Sequence, residues 1–413
     1  MSKGSRGSWR GGFRVFKLHV NSENLPKLRQ LFKDFVEGEA RTRGALCYRD
    51  EWLEEWKNVL NMRGDAGKRT VPNPPAITLL VRFVMPNGSV RGNTAAPCVI
   101  DLRRKELRIP SYGVSVPLRR SLARALVEEN GLDPRPEFVL QVTRRGFLRV
   151  IARREACSEF TFPTRIITID ENSVYGFSIG AWDIDANILR VTLRHFEKLR
   201  PPNHSYGRGV ASLLQSYAAK PSGEARQRLA ELLPEEVLRT LTTERARELA
   251  EATRGKERRL NNAFVERLVA RMRGLVREAR RRGMNVLMLV DPIDPDSLRG
   301  TRLQGTLLRA RKHVRNLAVY EGATFRTVRA SGKVCPRCPA VGVEVIHTKR
   351  SRIYECPKCG MRWDRDEGVH YTMVVRYFER LRKEEGDDET VMAERVLAAL
   401  KEWLEENPNI LMF

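Results

Sequence analysis

The amino-acid sequence predicts an α/β protein of several domains, and three observations support this class. Strand-like runs with alternating apolar residues dominate residues 76–160, whereas strands alternate with long charged helical patterns after residue 161. Two Cys-x-x-Cys pairs follow nearer the C-terminal end. A chain of 413 residues is long enough for two or three domains with sizeable cores.

The N-terminal part predicts a small β-barrel or sandwich with a helical insertion. Phe13 to Val20 alternates apolar and polar side chains as a strand does, and Asn21 or Ser22 is expected to cap the helix that follows. Tyr48 to Leu60 predicts a second helix, which ends before a proline-rich stop. The run of strands ends in a hairpin whose turn is Arg144-Arg145-Gly146.

The second half of the chain predicts buried strands that end in acidic residues. Isoleucines at 166, 167 and 169 form a strand that closes on Asp170, and a β-hairpin is expected over residues 174–193. An apolar strand from Val286 to Val290 closes on Asp291. An aspartate at a strand end is also common without any function, so each acid alone is weak evidence.

Charged helices are predicted between these strands. Residues 201–220 are expected to form a loop-rich linker, and Glu224 to Arg254 to be helical. The basic run from Arg254 to Arg259 then leads into a long helix with an apolar stripe at helical spacing. That stripe, which is predicted to be core packing, consists of Phe264, Leu268, Met272, Leu275 and Ala279.

Four cysteines have the spacing of a zinc ribbon. Cys335 and Cys338 form one Cys-x-x-Cys pair, and Cys356 and Cys359 form the other. Four thiolates on two tight turns make a tetrahedral cage for zinc, so a structural Zn²⁺ is predicted. Iron in a rubredoxin-like site and four unrelated buried thiols are the alternatives. The three remaining cysteines are scattered and are predicted to be plain core thiols: Cys47, Cys98 and Cys157.

The net charge of +24 is large and unevenly distributed. From Glu384 onward nine acidic residues stand against two basic ones, so the positive excess lies in the preceding body of the chain. Nucleic acid is therefore the expected partner, and a merely solvated arginine-rich surface is the alternative. No apolar run approaches the roughly 18 residues of a membrane span, and the basic N-terminus lacks the apolar core of a secretory signal. No membrane partner and a cytoplasmic location are expected.

Three acids occupy comparable places along the chain. Asp170 and Asp291 each end a buried strand, and Asp366 opens a helix-like run directly after the ribbon. Folding could gather these distant residues into a carboxylate site that holds two Mg²⁺ ions, the arrangement of a two-metal nuclease. A basic body that attracts nucleic acid fits the same chemistry.

The order of these segments resembles the TnpB family, which comprises transposon-encoded RNA-guided nucleases, also described as OrfB-type transposases, and is related to type V CRISPR effectors. Ile169-Asp170-Glu171-Asn172 is similar to the first RuvC motif of that family, and Lys256 to Gly283 is similar to its basic helix. Residues 331–335 resemble the lead-in to its zinc ribbon. Arg352 and Asp364-Arg365-Asp366 are similar to an arginine before the second cysteine pair and to the third motif.

The resemblance implies an RNase H-like (RuvC) nuclease domain with an inserted zinc ribbon, and an N-terminal β-barrel (wedge) domain with a helical insertion. Asp170 would lie on the first strand of the nuclease domain and Asp291 on the fourth. The implied boundaries are 1–20 and 76–160 for the wedge-like domain, 21–75 for a helical recognition insertion, 161–330 for the nuclease domain with its own helical insertion, 331–362 for the zinc ribbon, 363–385 for the end of the nuclease domain and 386–413 for an acidic C-terminal helix.

The implied function is an RNA-guided DNA endonuclease with guide RNA and double-stranded DNA as partners. Asp170, Asp291 and Asp366 would be the catalytic residues and the Mg²⁺ ligands. The residues implied to bind nucleic acid are Lys256, Arg258, Arg259 and Arg352.

Two departures from the family pattern bear on activity. The second motif of the family carries Glu where this chain has Asp291, and Asp294 is the alternative acid for that motif. The Asn-Ala-Ala after the third acid is here Gly368-Val369-His370. A nuclease-inactive RNA-guided DNA-binding regulator is therefore one alternative. A zinc-ribbon RNA-binding protein with purely structural aspartates is another.

Overall fold

The computed structural model describes ten stretches of the chain, which divide between two compact units, Met1–Ala156 and Cys157–Phe413. The described residues are 12–37, 76–155, 162–172, 176–185, 188, 190–200, 210–294, 304–348, 351–384 and 387–407. The predicted helix Tyr48–Leu60 and two of the scattered cysteines, Cys47 and Cys157, lie outside them.

The described part of the first unit contains an eight-stranded sheet in the order β1-β8-β7-β2-β4-β5-β6, with β3 beside β2. Its strands are β1 (Gly12–Leu18), β2 (Ala76–Val84), β3 (Val90–Gly92), β4 (Cys98–Asp101), β5 (Glu106–Ile109), β6 (Val114–Pro117), β7 (Glu137–Thr143) and β8 (Leu148–Arg154). Two helices accompany the sheet, α1 (Asn24–Glu37) and α2 (Arg120–Asn130).

Local sequence explains the elements of this unit. Along β2, buried positions alternate with half-buried ones, as the sequence pattern predicts. The Oδ1 atom of Asn21 accepts a hydrogen bond from the backbone N–H of Asn24 (3.3 Å), so the predicted cap of α1 is confirmed. The hairpin β7–β8 also forms as predicted, because Gly146 adopts a φ of 82° at its turn and its N–H bonds to the carbonyl of Thr143 (2.8 Å).

The second unit is organised around a five-stranded sheet in the order β11-β10-β9-β12-β13. β9 pairs antiparallel with β10, β10 pairs antiparallel with β11, and β12 runs parallel to both β9 and β13. The strands are β9 (Arg165–Asn172), β10 (Gly176–Asp185), β11 (Arg190–Leu199), β12 (Val286–Asp291) and β13 (Thr324–Thr327). The helices are α3 (Val210–Ala219), α4 (Gly223–Ala230), α5 (Glu235–Arg239), α6 (Thr243–Arg281), α7 (Gln304–Glu321), α8 (Arg365–Glu384) and α9 (Asp387–Glu406).

Helices cover both faces of this sheet. Ile167 and Ile169 of β9 pack in one core with the predicted apolar stripe of α6 and with α7. Ile166, on the opposite face of the same strand, packs in a second core with α8 and α9. Because side chains alternate along a strand, Thr168 and Asp170 share the face of Ile166, toward α8. Glu171 shares the other face, toward α7.

Two predictions about the helical region are wrong. The expected loop-rich linker over residues 201–220 contains a helix, α3, because Val210, Leu214 and Tyr217 have helical spacing and are buried together. The long helix α6 begins at Thr243, whose preceding residue Thr242 accepts a hydrogen bond from the N–H of Arg245 (3.1 Å). It continues through Gly255, so the run from Arg254 to Arg259 lies inside the helix.

The cysteine segment forms a separate three-stranded sheet of β14 (Val343–His347), β15 (Arg352–Glu355) and β16 (Arg362–Asp364). α8 begins at Arg365, directly after β16. The acidic helix α9 contributes to the core, since Trp403 packs edge-on against Trp182 at 4.9 Å between ring centroids. Among the helices of the described residues, none has both the length and the hydropathy needed to cross a membrane.

Candidate metal centres

Asp170 and Asp291 lie side by side at one edge of the five-stranded sheet. They are register partners in the parallel pair β9–β12. Asp291 is the last residue of β12, and Asp170 lies two residues before the end of β9. Each residue is only 8% exposed, and both line a cavity of about 260 Å³. Folding therefore brings these two distant acids to one cavity.

Asp366 approaches from the helix layer on the same face. It lies in the first turn of α8, is 2% exposed, and its negative charge contributes to raising the pKa of Asp170. Asp366 is not among the residues that line the cavity, but Arg352 lines it and has its Nη2 atom 3.4 Å from Oδ1 of Asp366. Arg352 therefore links the third acid to the cavity of the first two.

The three carboxylates are more widely spaced than the ligands of one tight metal cage. Across the described stretches, the four cysteines form the one group of at least three His, Cys, Asp or Glu side chains whose ligand atoms all lie within 4.8 Å. Two ions about 4 Å apart divide their ligands between them and do not need such a compact group. Carboxylate oxygens are the ligands that Mg²⁺ prefers, so the donor set fits magnesium.

Positive side chains hold Asp366 and its neighbour Asp364. Nζ of Lys198 lies 3.4 Å from Oδ2 of Asp366 and 3.2 Å from Oδ1 of Asp364. Asp364 is fully buried; its Oδ1 accepts the N–H of Asp366 (2.8 Å) and its Oδ2 accepts the hydroxyl of Ser351 (2.6 Å). Asp364 thus acts as a cap for the start of α8 and sets the position of Asp366.

The pKa values of the three acids are raised, chiefly by burial. For Asp170 the pKa lies well above its usual range because of burial and then because of the charges of Asp291, Asp366 and Glu171. Burial raises the pKa of Asp291 to about 6, although a hydrogen bond from the N–H of Ala330 (3.1 Å) opposes the shift. Burial likewise raises the pKa of Asp366, against the charge of Lys198. Close buried carboxylates of this kind favour a bound cation.

Glu171 is a charged residue of this region to which the sequence analysis gave no role of its own. It lines the cavity, but its carboxylate takes two hydrogen bonds from Arg311 of α7 (3.0 and 2.5 Å) and one from the N–H of Ile293 (3.1 Å). Strand alternation could have indicated this, because it places Glu171 on the face opposite Asp170. Glu171 therefore ties the segment after β12 to α7.

The predicted nucleic-acid-binding residues lie in two different places. Arg352 lines the cavity, together with the basic side chains of Arg329, Lys333 and Arg365. Three others are exposed on α6 and do not line the cavity: Lys256, Arg258 and Arg259. Asp294, which the sequence offered as a possible second-motif acid, lines the cavity but lies beyond the end of β12.

The four predicted zinc ligands are together, and they could bind zinc. Sγ of Cys335 lies 3.6 Å from Sγ of Cys359, and Sγ of Cys338 lies 3.3 Å from Sγ of Cys356. Gly360 has a φ of 68°, which allows the tight turn after the second pair. Of the three scattered cysteines, Cys98 is the one within the described residues, and it is fully buried, which agrees with its prediction as a core thiol.

Comparisons with known proteins give structural neighbours only. No protein-family model and no curated protein matches the chain. The structure is similar to Cas12f1 in its complex with sgRNA and target DNA, at 7% identity and a TM-score of 0.39, over 85% of this chain and 80% of that one. It is also similar to AacC2c1 in a binary complex with sgRNA, at 10% identity and a TM-score of 0.37, over 78% and 58%.

A further neighbour is CasPhi-2 (Cas12j) bound to crRNA, at 12% identity and a TM-score of 0.34, over 66% of this chain. The alignment spans 61% of that protein, less than two thirds of its length. Likeness of this degree establishes no function, and the TnpB resemblance stays a prediction. The function is therefore argued from the residues of this chain.

Proposed function

We propose that the chain is an RNA-guided DNA endonuclease of the TnpB type, with a RuvC-like carboxylate site that uses two Mg²⁺ ions. The observation that carries the proposal is the meeting of Asp170 and Asp291 as register partners in one cavity, with Asp366 on the same face of the sheet. The three residues are far apart in the sequence, so the fold itself brings them to this face of the sheet.

The sheet supports the RNase H-like part of the proposal. That fold was expected to have Asp170 on the first strand and Asp291 on the fourth, and they lie on the first and fourth strands of the five-stranded sheet in chain order. The first three of these strands are antiparallel, and the fourth and fifth are parallel to the first.

The site residues divide the chemistry between them. Asp170, Asp291 and Asp366 would hold Mg²⁺, which activates water and stabilises the leaving oxygen of a phosphodiester when bound. Arg352 and Lys333 line the same cavity and offer positive charge to a backbone phosphate. Lys198 and Arg352 flank Asp366 and set the orientation of its carboxylate.

The charge of the chain supports nucleic-acid partners. A net charge of +24 attracts polyanions, and Lys256, Arg258 and Arg259 add exposed positive charge on α6. In an RNA-guided enzyme, base pairing with the guide selects the target, while the protein contacts backbones and a short flanking motif. The guide RNA and the double-stranded DNA belong to the proposal on these grounds.

The zinc ribbon would act as a structural support for the carboxylate site. β15 begins with Arg352, and β16 ends with Asp364 immediately before α8. The cysteine cage would thus stabilise β15, which contains Arg352, and β16, which leads directly into the first turn of α8 with Asp366. Zinc here would be structural, since four cysteines leave no open position for a substrate.

The test is cleavage by the full chain purified with its co-purifying RNA. The DNA substrate carries a segment complementary to that RNA beside randomised flanks. The cleavage reaction is run with and without Mg²⁺. We expect Mg²⁺-dependent cutting by the wild type and a loss of at least about 100-fold in Asp170→Asn, because removing a metal ligand removes the ion's contribution. Asp185→Asn, a change at an exposed strand end, serves as the matched control and should cut normally.

Other outcomes would assign the chain elsewhere. RNA-dependent DNA binding without cutting by the wild type would leave the nuclease-inactive regulator. Absence of both co-purifying RNA and DNA affinity would favour the zinc-ribbon RNA-binding protein whose aspartates are purely structural.

A further inference from the structure

We infer that His370 is a positioning residue for the carboxylate site: it fastens the helix that carries Asp366 to the strands that carry and face Asp170. This inference rests on the proposed function for its catalytic meaning. His370 takes the place of the last residue of the family's Asn-Ala-Ala, and no local sequence pattern indicates a role for it.

The contacts of His370 reach two strands. Its Nδ1 atom lies 2.8 Å from Oγ1 of Thr168 on β9, and its Nε2 atom lies 3.0 Å from Oγ of Ser178 on β10. The imidazole is 1% exposed, and burial lowers its pKa to about 3, so the ring is neutral. Both ring nitrogens therefore have partners from the sheet.

The hydroxyl of Thr168 lies within hydrogen-bond distance of two partners, the carbonyl of Gly180 (3.2 Å) and Nδ1 of His370 (2.8 Å). A neutral imidazole has one donor and one acceptor nitrogen. When Nδ1 carries the proton, it donates to Thr168 and Nε2 accepts the hydroxyl proton of Ser178; in the other tautomer both bonds reverse their direction. Both ring nitrogens are paired in either tautomer, so the contacts fix the position of the ring.

The sheet leaves room for the ring at Gly180. A Cβ atom at this position would lie 2.6 Å from Oγ1 of Thr168 and 3.1 Å from Cγ of His370. Gly180 is the register partner of Thr168, so the missing side chain opens a space beside the hydroxyl that His370 contacts. The ring of Phe196 meets the imidazole edge-on at 5.5 Å.

These contacts are adjacent to the carboxylates themselves. Asp366 lies four residues before His370, about one helical turn. Thr168 lies two residues before Asp170 on the same face of β9, and Ser178 is the register partner of Asp170. His370 therefore sets the distance between the start of α8 and the end of β9, which is the distance between two proposed metal ligands.

A packing role alone would affect stability but not metal binding, and this difference makes the inference testable. The full chain with its RNA is titrated with Mn²⁺ as the probe, and affinity is followed by calorimetry and by the Mn²⁺-induced rise in melting temperature. The variants are His370→Ala, the near-isosteric Thr168→Val and the conservative His370→Gln, whose amide offers one donor and one acceptor.

We expect His370→Ala and Thr168→Val to weaken Mn²⁺ binding about tenfold, as loss of a partner behind the metal ligands does. His370→Gln should recover most of the affinity. Thr372→Val is the matched control: within the described part of the chain, its buried hydroxyl donates to the carbonyl of Gly368 in the same helix α8 (3.0 Å), so the affinity should stay within about twofold.

Unchanged Mn²⁺ affinity in folded His370→Ala or Thr168→Val would overturn the inference, as would a wild type that binds no Mn²⁺ at this site. If Mn²⁺ binding depends on His370 but the wild type does not cut DNA, the positioning role stands and the proposed function fails. If Asp170→Asn loses DNA cutting but His370→Ala cuts normally, the proposed function stands and the positioning role fails.

Discussion

At the scale of single residues, Asp291 is one of three buried acids that make the site respond to pH. Its side chain is one methylene shorter than the glutamate of the family pattern, yet its register partner Asp170 lies directly across the parallel pair. Burial raises the pKa of Asp291 to about 6, so its carboxylate is charged at neutral pH but at a cost in stability. Mg²⁺ binding would offset that cost.

We expect Asp291→Asn to melt at a higher temperature than the wild type at pH 7.5 in the absence of divalent ions. The folded protein keeps the proton of Asp291 up to about pH 6, whereas the unfolded chain releases it near pH 4. The stability that this proton contributes is therefore complete below about pH 4 and is lost as the pH rises through 6.

Melting curves of both proteins between pH 4 and 8 measure this effect. The advantage of the variant should grow over that range and should shrink when Mg²⁺ is added. A wild type that gains on the variant as the pH rises without metal would contradict the raised pKa.

The sequence was sufficient to select the three acids but not their surroundings. Asp170 and Asp291 end apolar runs, and a buried strand that ends in an acid is visible as a local pattern. The contacts of Lys198 with Asp364 and Asp366 join residues more than 160 positions apart, and no local pattern contains them. His370 was missed for the same reason, because the space that receives it is made by Gly180 on another strand.

At the scale of elements, the cysteine ribbon and α8 form one continuous support. β16 ends at Asp364 and α8 begins at the next residue, so no loop separates this strand of the ribbon from Asp366. Trp363 of β16 is fully buried and donates its indole N–H to the carbonyl of Gly332 (2.7 Å), which joins the two halves of the ribbon.

One zinc ion per chain is the expected result of elemental analysis of the purified protein. Replacing Cys338 and Cys356 by Ser should abolish zinc binding, lower the melting temperature and reduce DNA cutting, because Arg352 and Asp366 lose their support. Bound iron with a coloured thiolate spectrum would instead indicate the rubredoxin-like alternative. A double variant that binds no zinc but cuts DNA normally would show that the ribbon does not support the site.

Element boundaries were predicted well wherever an apolar period was clear. The strand that closes on Asp291 and the hairpin around Gly146 are both confirmed. The start of α6 was missed because the long charged segment before it has few apolar positions to show a period, and because Gly255 suggests an interruption.

At the scale of the whole molecule, positive charge is the dominant property. The affinity for nucleic acid should therefore fall as the salt concentration rises. Each phosphate contact contributes to the slope of log affinity against log salt, so the contributions of different regions of the chain can be separated. Many arginines in the helical region are already paired with acids along the same helix, such as Arg228 with Glu224 and Arg245 with Glu248.

Replacing Lys256, Arg258 and Arg259 together by Gln should weaken RNA binding and lower the slope of log affinity against log salt by up to about 2, or roughly 0.7 per lost contact with a single strand. A filter-binding titration over several salt concentrations measures the slope. The matched control replaces three exposed, ion-paired arginines by Gln: Arg228, Arg239 and Arg245. Equal slopes in both triple variants would show that the 256–259 segment makes no specific phosphate contacts.

The space over Gly180 also has an evolutionary consequence. Positions 168, 180 and 370 share one small volume, so the three residues should covary among homologous chains: where the threonine and the histidine are kept, glycine should be kept with them, and a larger side chain becomes tolerable at position 180 only where both neighbours are smaller.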